Sequence, residues 1–217
     1  MPGTRLHQRI VLLIIILTWA ASSGQADDLD TVRYLDEREK ATVREINLAR
    51  TDPKAYAAFI EEWIPFYEGK LRTLPDRVAI RTKEGLRAVR EAVRFLENCE
   101  PLPPLTPSPG LSMGARDHAR DLGPRGATGH RGLDGSRPGD RVNRYGEWKR
   151  RVAENIAYGG DAPREVVMRL IIDDGVRGRG HRENIFHHNY RVIGVAFAPH
   201  DKYGRICVIT FADDYVD

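Results

Sequence analysis

An α+β fold is predicted by three observations. Amphipathic helical segments dominate the chain up to Asp173, and two Val-, Ile- and Phe-rich runs close it. Between those runs lies His200-Asp201-Lys202-Tyr203-Gly204, a polar, glycine-ended turn that makes them a hairpin.

The elements follow in order. Residues 1–26 read as a signal peptide: Arg5 and Arg9 supply a basic start, Ile10 to Ala21 an apolar stretch, and Gly24 and Ala26 small residues at the −3 and −1 positions. The apolar stretch of 12 residues is short of the roughly 20 a spanning helix needs. No second long apolar run follows, so no stable membrane span is expected after cleavage. Asp28 to Gly69 reads as two helices, with Val43, Ile46 and Leu48 on the first. Thr51-Asp52-Pro53 breaks them apart, Asp52 capping the second and Pro53 in its first turn. Gly69 to Ile80 is a connection. Thr82 to Leu96 is a helix, with Leu86, Val89, Val93 and Leu96 at helical spacing. The proline-rich stretch from Leu102 to Gly110 reads as a linker without regular structure. Leu111 to Leu122 is a helix stopped by Gly123-Pro124, Thr128 to Gly139 a structured loop, and Asp140 to Tyr145 a short helix. Pro163 to Asp173 is a helix with Val166, Val167, Leu170 and Ile171 on one side. Tyr190 to Pro199 and Arg205 to Ala212 are the strands. The division expected is signal peptide 1–26, N-terminal helices 27–100, and main body 101–217.

Composition narrows the function classes. The chain has 217 residues and a formal charge of +3; without residues 1–26 two arginines go and the balance is +1. So small an excess, with both signs interspersed, gives no reason to expect a nucleic-acid partner. Nothing in the chain calls for a nucleotide or organic cofactor. Cys99 and Cys207 are even in number, which permits one disulfide in an exported protein; two small buried thiols are the alternative.

Three short segments carry the chemistry. They are Gly129-His130-Arg131-Gly132, Ala153-Glu154-Asn155-Ile156-Ala157 and Arg179-Gly180-His181-Arg182-Glu183-Asn184-Ile185-Phe186. Neutral imidazoles are good ligands for zinc and similar ions, and a nearby carboxylate orients an imidazole or a bound water. Two histidines with acids also suffice for general acid–base chemistry. Spacing alone leaves open that each histidine merely satisfies loop backbone groups. Gly110-Leu111-Ser112-Met113-Gly114 fits the G-x-S-x-G pattern, but no strand precedes it, so Ser112 reads as a first-turn helix residue. His187-His188 would point apart in an extended segment, and His200 falls in an exposed turn.

The order of the segments adds more. His118-Ala119, Gly129-His130, Asp134-Gly135-Ser136, Glu154-Asn155-Ile156, a Val-Val-x-x-Leu helix, Gly180-His181-Arg182 and Asn189-Tyr190 leading into a Val-Ile-Gly strand follow one another. This series resembles the CAP superfamily (cysteine-rich secretory, antigen 5 and pathogenesis-related-1) in its bacterial SCP-domain form, from about Ala41 to Tyr215. The resemblance implies a three-layer α–β–α sandwich with a small antiparallel sheet and a central cleft. It also implies a tetrad of two histidines and two acids: His130, Glu154, His181 and, at the fourth position, Asp173. Aspartate there is one methylene shorter than the family's usual residue, so contact through a water, or Asp174 in its place, is the expectation. His118, at the cleft edge, and Glu183 rank behind these. His130 and His181 would then bind Zn²⁺ or another divalent cation, with Glu154 and Asp173 behind them. The function implied is that of a secreted or periplasmic protein whose cleft holds a metal and a small-molecule, lipid or cell-wall ligand. A metal-assisted, protease-like hydrolase with His130, Glu154, Asp173 and His181 as its catalytic set is the alternative.

Overall fold

The computed structural model describes residues 29–160 and 162–217; the signal peptide expected over residues 1–26 lies outside them. Helix α1 (Glu37–Thr51) begins at a reciprocal cap, Asp36 accepting from the Glu39 amide at 2.8 Å while Glu39 accepts from the Asp36 amide at 3.0 Å. Asp52 ends α1 and opens α2 (Pro53–Glu61), taking the Ala55 amide on its side chain, as the Thr-Asp-Pro break predicts. The end of the segment expected as helix and the segment expected as a plain connection together hold three two-residue strands, β1 (Tyr67–Glu68), β2 (Leu71–Arg72) and β3 (Ile80–Arg81), paired antiparallel as a flap. Its base is closed by Gly85, where a side chain would strike the Gly69 carbonyl.

Helix α3 (Leu86–Asn98) follows. The expected linker also contains structure: β4 (Thr106–Pro107) pairs parallel with a later strand at the sheet edge, the place where a sheet accepts proline. Helix α4 (Pro109–Leu122) is capped by the Ser108 hydroxyl. Ser112 sits buried in its first turn, its hydroxyl donated to the Ser108 carbonyl at 2.8 Å, which removes it as a nucleophile. Then come α5 (Pro138–Val142), β5 (Glu147–Trp148), β6 (Val152–Tyr158), α6 (Pro163–Ile172), α7 (Gly180–Ile185), β7 (Val192–His200), β8 (Gly204–Ala212) and β9 (Tyr215–Val216).

The main sheet has the order β4-β7-β8-β6, with β7–β8 and β8–β6 antiparallel. Side chains alternate across it with period two. Ile193, Val195, Cys207, Ile209 and Phe211 face a core built from α1, α2, α3 and α6, which includes Val43, Ile46, Val89 and Val167. Ala196, Ala198, Ile206 and Val208 face α4 through Ala115, Ala119 and Leu122. Both faces are therefore covered, giving the α–β–α sandwich. The N-terminal helices pack into the same core as the sheet. On the α4 side the approach is close: a side chain at Gly194 would meet the Leu111 backbone at 2.2 Å, and Thr210 donates its hydroxyl to the Leu111 carbonyl at 3.0 Å.

Cys99 and Cys207 do not pair. Cys99 ends α3, Cys207 is buried mid-strand on the inner face of β8, and both are free thiols. Two small apolar side chains in different surroundings are what the structure contains.

Candidate functional site

Strand β6 ends the sheet, so its outer edge is open to the loops beyond it. Its residues Glu154 and Asn155 point to opposite faces because they are neighbours in a strand. Each anchors one histidine.

On the α4 face, Glu154 is buried, with its side chain 1% exposed, and its Oε1 accepts from His130 Nδ1 at 2.9 Å. Its Oε2 accepts from Arg141 Nη2 at 2.6 Å. Arg141, from α5, also donates to the His130 carbonyl at 3.2 Å and the Ser136 carbonyl at 2.9 Å, so one guanidinium clamps both ends of the histidine loop. The His130 imidazole is 53% exposed. With Nδ1–H given to the carboxylate, its Nε2 keeps a free lone pair.

His118 lies beneath this loop rather than at the cleft edge. It is fully buried on α4, and its Nε2–H donates to the Gly129 carbonyl at 2.8 Å, with Glu154 Oε1 3.8 Å away. Burial, only partly offset by Glu154, holds its pKa below the ordinary histidine value, so the ring is a neutral donor that props up the residue before His130.

On the opposite face, Asn155 donates its amide to the His181 carbonyl at 2.9 Å and accepts from Asn184 at 2.8 Å. Asp173 contacts His181 directly, contrary to the expectation of a bridging water. Its Oδ1 accepts from His181 Nδ1 at 2.6 Å and its Oδ2 from the His181 amide at 2.9 Å. The missing methylene is made up by the backbone. Helix α6 ends at Asp173 in the left-handed conformation (φ 53°), which turns its carboxylate onto the start of α7. Arg179, at φ 55°, is left-handed too. Two such non-glycine residues around one histidine are a concentration of backbone strain at the site.

Asp174 does not substitute for Asp173: its carboxylate takes the Lys83 and Glu84 amides at 2.6 and 2.8 Å, pinning the exit of the flap. Glu183 is exposed on α7. Arg179 pairs with Glu84 and Glu91, and Arg182 with Glu91, rather than with Asp173 or Asp174 carboxylates. The Arg179 bond and the Gly175 amide hold Glu84 down at a pKa of about 2. His187 and His188 sit in a turn, where their rings stack at 5.2 Å instead of pointing apart. His200 is buried, not exposed: its Nε2 donates to the Ala127 carbonyl at 2.8 Å while Nδ1 accepts the Lys202 and Tyr203 amides.

Sequence reasoning missed Arg141, the residue that joins Glu154 to the His130 loop. The nearest signal was the short helix expected over Asp140 to Tyr145, which marks where Arg141 sits but not which way it points.

A cleft of about 600 Å³ runs past the end of β6, with Asp173 and His181 in its wall beside Tyr158, Leu170 and the flap. Each imidazole thus has Nδ1 tied to a buried carboxylate and Nε2 unbonded, the orientation metal-binding histidines adopt. Among the described residues no three His, Cys, Asp or Glu side chains gather into a ready metal cage. The outward Nε2 atoms of His130 and His181 are the nitrogen donors that these two contacts leave available.

The sequence that carries this site has relatives among known proteins. The family model described as the cysteine-rich secretory protein family, CAP, matches residues 84–211, more than half of the chain. The chain belongs to the CAP family. A curated bacterial relative, the uncharacterized protein YkwD of Bacillus subtilis (strain 168), is 27% identical over 157 residues. The match covers 72% of this chain and 49% of YkwD, so the chain spans about half the length of that relative. Among solved structures, an extracellular protein containing an SCP domain from Bacillus anthracis str. Ames aligns with a TM-score of 0.44 and 20% identity, over 52% of this chain and 35% of that one. An outer surface protein from Borrelia burgdorferi aligns with a TM-score of 0.44 and 22% identity, over 51% of this chain and 78% of that one. The CAP assignment rests on the family match. No helix among the described residues is long and apolar enough to cross a membrane.

Proposed function

We propose that this CAP protein is exported, to the periplasm or the medium, and works as a ligand-binding module in which His130 and His181 bind a divalent cation such as Zn²⁺. The observation that carries the reading is the matched pair of imidazole–carboxylate contacts, His130–Glu154 and His181–Asp173, at 2.9 and 2.6 Å. A carboxylate behind each ring fixes the tautomer and raises the basicity of the outward nitrogen. His130 and His181 would be the ligands; Glu154 and Asp173 hold the rings, Arg141 holds the loop that carries His130, and Asn155 holds α7, which carries His181. A bound cation would act as a Lewis acid toward water or an acid group of a ligand.

Binding is favoured over a metal-assisted hydrolase because, among the described residues, no hydroxyl or thiol is hydrogen-bonded to His130 or His181. The small-molecule, lipid or cell-wall ligand would occupy the cleft beside His181.

Calorimetric titration of Zn²⁺ into the exported protein tests this, repeated on His130→Ala and His181→Ala. Lost affinity in both variants with no turnover of peptide or ester substrates is the expected result. Unchanged affinity in both would sink the cation site, and turnover abolished by the same substitutions would establish the hydrolase instead. N-terminal sequencing of the exported protein is expected to start at Asp27.

A further inference from the structure

Part of the cleft wall comes from the segment 63–82, which lies outside the family match at 84–211. This flap is fastened where it returns toward α3. Thr82 returns to the Lys70 carbonyl through its amide and its hydroxyl, each at 2.7 Å, and Asp174 grips the amides just beyond. It is therefore a built wall, contributed by a segment outside the family match.

It brings arginines. Arg72, 5% exposed, lies with its guanidinium 4.3 Å over the Trp63 ring. Arg77, 58% exposed, stands beside it. From α6, Arg169 reaches the same cleft, bonded to the carbonyls of Tyr158 and Gly159 at 2.6 and 2.9 Å. The carboxylate that faces this group is Glu165, 3.8 Å from Arg72 and 4.0 Å from Arg77, both beyond hydrogen-bonding distance. Arg72 also keeps a buried Nε with no hydrogen-bond partner. Glu165 is thus shared loosely by Arg72 and Arg77, while Asp173 and Asp174 in the same lining are committed to His181 and to the Lys83 and Glu84 amides. The crowding is felt: burial lowers the Arg169 pKa, Glu165 opposes the shift, and Arg72 adds to it. Apolar side chains lie in the lining too, among them Tyr67, Ile80, Leu170 and Ile172.

We propose that this part of the cleft binds the acid group, phosphate or carboxylate, of a ligand whose apolar body lies against Trp63, Tyr67 and Ile80. Guanidinium groups match planar or tetrahedral acid oxygens through paired N–H donors and remain charged when half-buried, which suits them to this role better than lysine. A volume of about 600 Å³ accommodates a small organic ligand. The proposal rests on the cleft being a ligand site, as argued above, and not on a bound cation.

Phenyl phosphate is the probe, with inorganic phosphate and benzyl alcohol as the anion alone and the apolar body alone. Trp63 in the wall reports binding by fluorescence, read in a Trp148→Phe background, and calorimetry gives affinities. Phenyl phosphate is expected to bind at least tenfold more tightly than either partial probe. Arg72→Gln should weaken it roughly tenfold, the loss of one charge-assisted bond. Arg77→Gln, at an exposed position that leaves folding intact, should weaken it by a smaller but measurable factor. Phenyl phosphate binding that is absent, or unchanged in both variants, overturns the proposal. So does benzyl alcohol binding as tightly, and equal affinity for inorganic phosphate overturns its apolar half. Zn²⁺ titrations in parallel keep the two readings apart: arginine-dependent phenyl phosphate binding with no histidine-dependent Zn²⁺ affinity leaves this site standing without the cation.

Discussion

Replacing Glu154 with glutamine changes a proton's address more than it changes the fold. Glu154 has one oxygen on Arg141 and the other on His130 Nδ1, in surroundings where its side chain is 1% and that of Arg141 2% exposed. Arginine is only a donor, so in Glu154→Gln the single amide oxygen must face Arg141 and the NH₂ must face His130. Nδ1 then has to accept, and the proton moves to Nε2, which stops being a lone-pair donor toward the cleft. Stability should fall by only about 1–3 kcal/mol, since both hydrogen bonds survive in weaker, neutral form. Glu154→Ala differs: it leaves Arg141 as an uncompensated buried charge, at about 3–5 kcal/mol, or roughly 6–20 °C in Tm for a domain of this size. Long-range ¹H–¹⁵N correlation spectra of the imidazole report the tautomer, and urea unfolding reports the stability. A Glu154→Gln protein that keeps its proton on Nδ1, or a Glu154→Ala protein destabilised by less than about 1 kcal/mol, would refute the assigned geometry.

Asn155→Leu should loosen the other half of the site. It strands the His181 carbonyl and the Asn184 amide at about 1–3 kcal/mol, and amide exchange should accelerate over residues 180–186 while β7 and β8 stay protected. Acid should act on the same region through Glu84. Its pKa is depressed in the fold, so its contribution is complete above the unfolded value near ~4.3 and is lost as pH falls toward about 2. Urea midpoints should drop across that window, and the drop should shrink in Glu84→Gln; an equal drop in the variant would count against the pair. Both cysteines should titrate as thiols without added reductant once the protein is unfolded. In the native state Cys207 should stay silent, because burial both shields it and pushes its pKa up. A native mass two units below the dithiol form would show a disulfide and contradict the structure.

Much of this molecule was readable before its structure. Helix α1 to α2 was marked by Thr51-Asp52-Pro53, and the β7–β8 hairpin by its flanking apolar runs, because caps and turns are local chemistry. His130, Glu154 and His181 stood out because each sits in a short glycine- or asparagine-marked segment. Other features depend on partners far away in sequence. Arg141 is one arginine of many until its contact with Glu154 is seen, and His200 looks like an exposed turn residue until the Ala127 carbonyl is placed over it. The flap strands are two residues long, too short to show a period. The reach of Asp173 depended on a backbone angle that no side-chain length predicts.

The pairing of β6 with β8, in which Glu154 stands opposite Thr210 and Asn155 opposite Ile209, makes the site a readout of strand alignment. Slipping β6 by one residue would turn Glu154 toward His181 and Asn155 toward His130, exchanging an acid for an amide behind both rings at once. Insertions before Val152 or after Tyr158 can be absorbed by loops. A single deletion within the strand would disarm both halves while leaving its apolar content almost unchanged. A library of one-residue deletions along this stretch should therefore separate into folded proteins with an intact site and folded proteins with none, with few between.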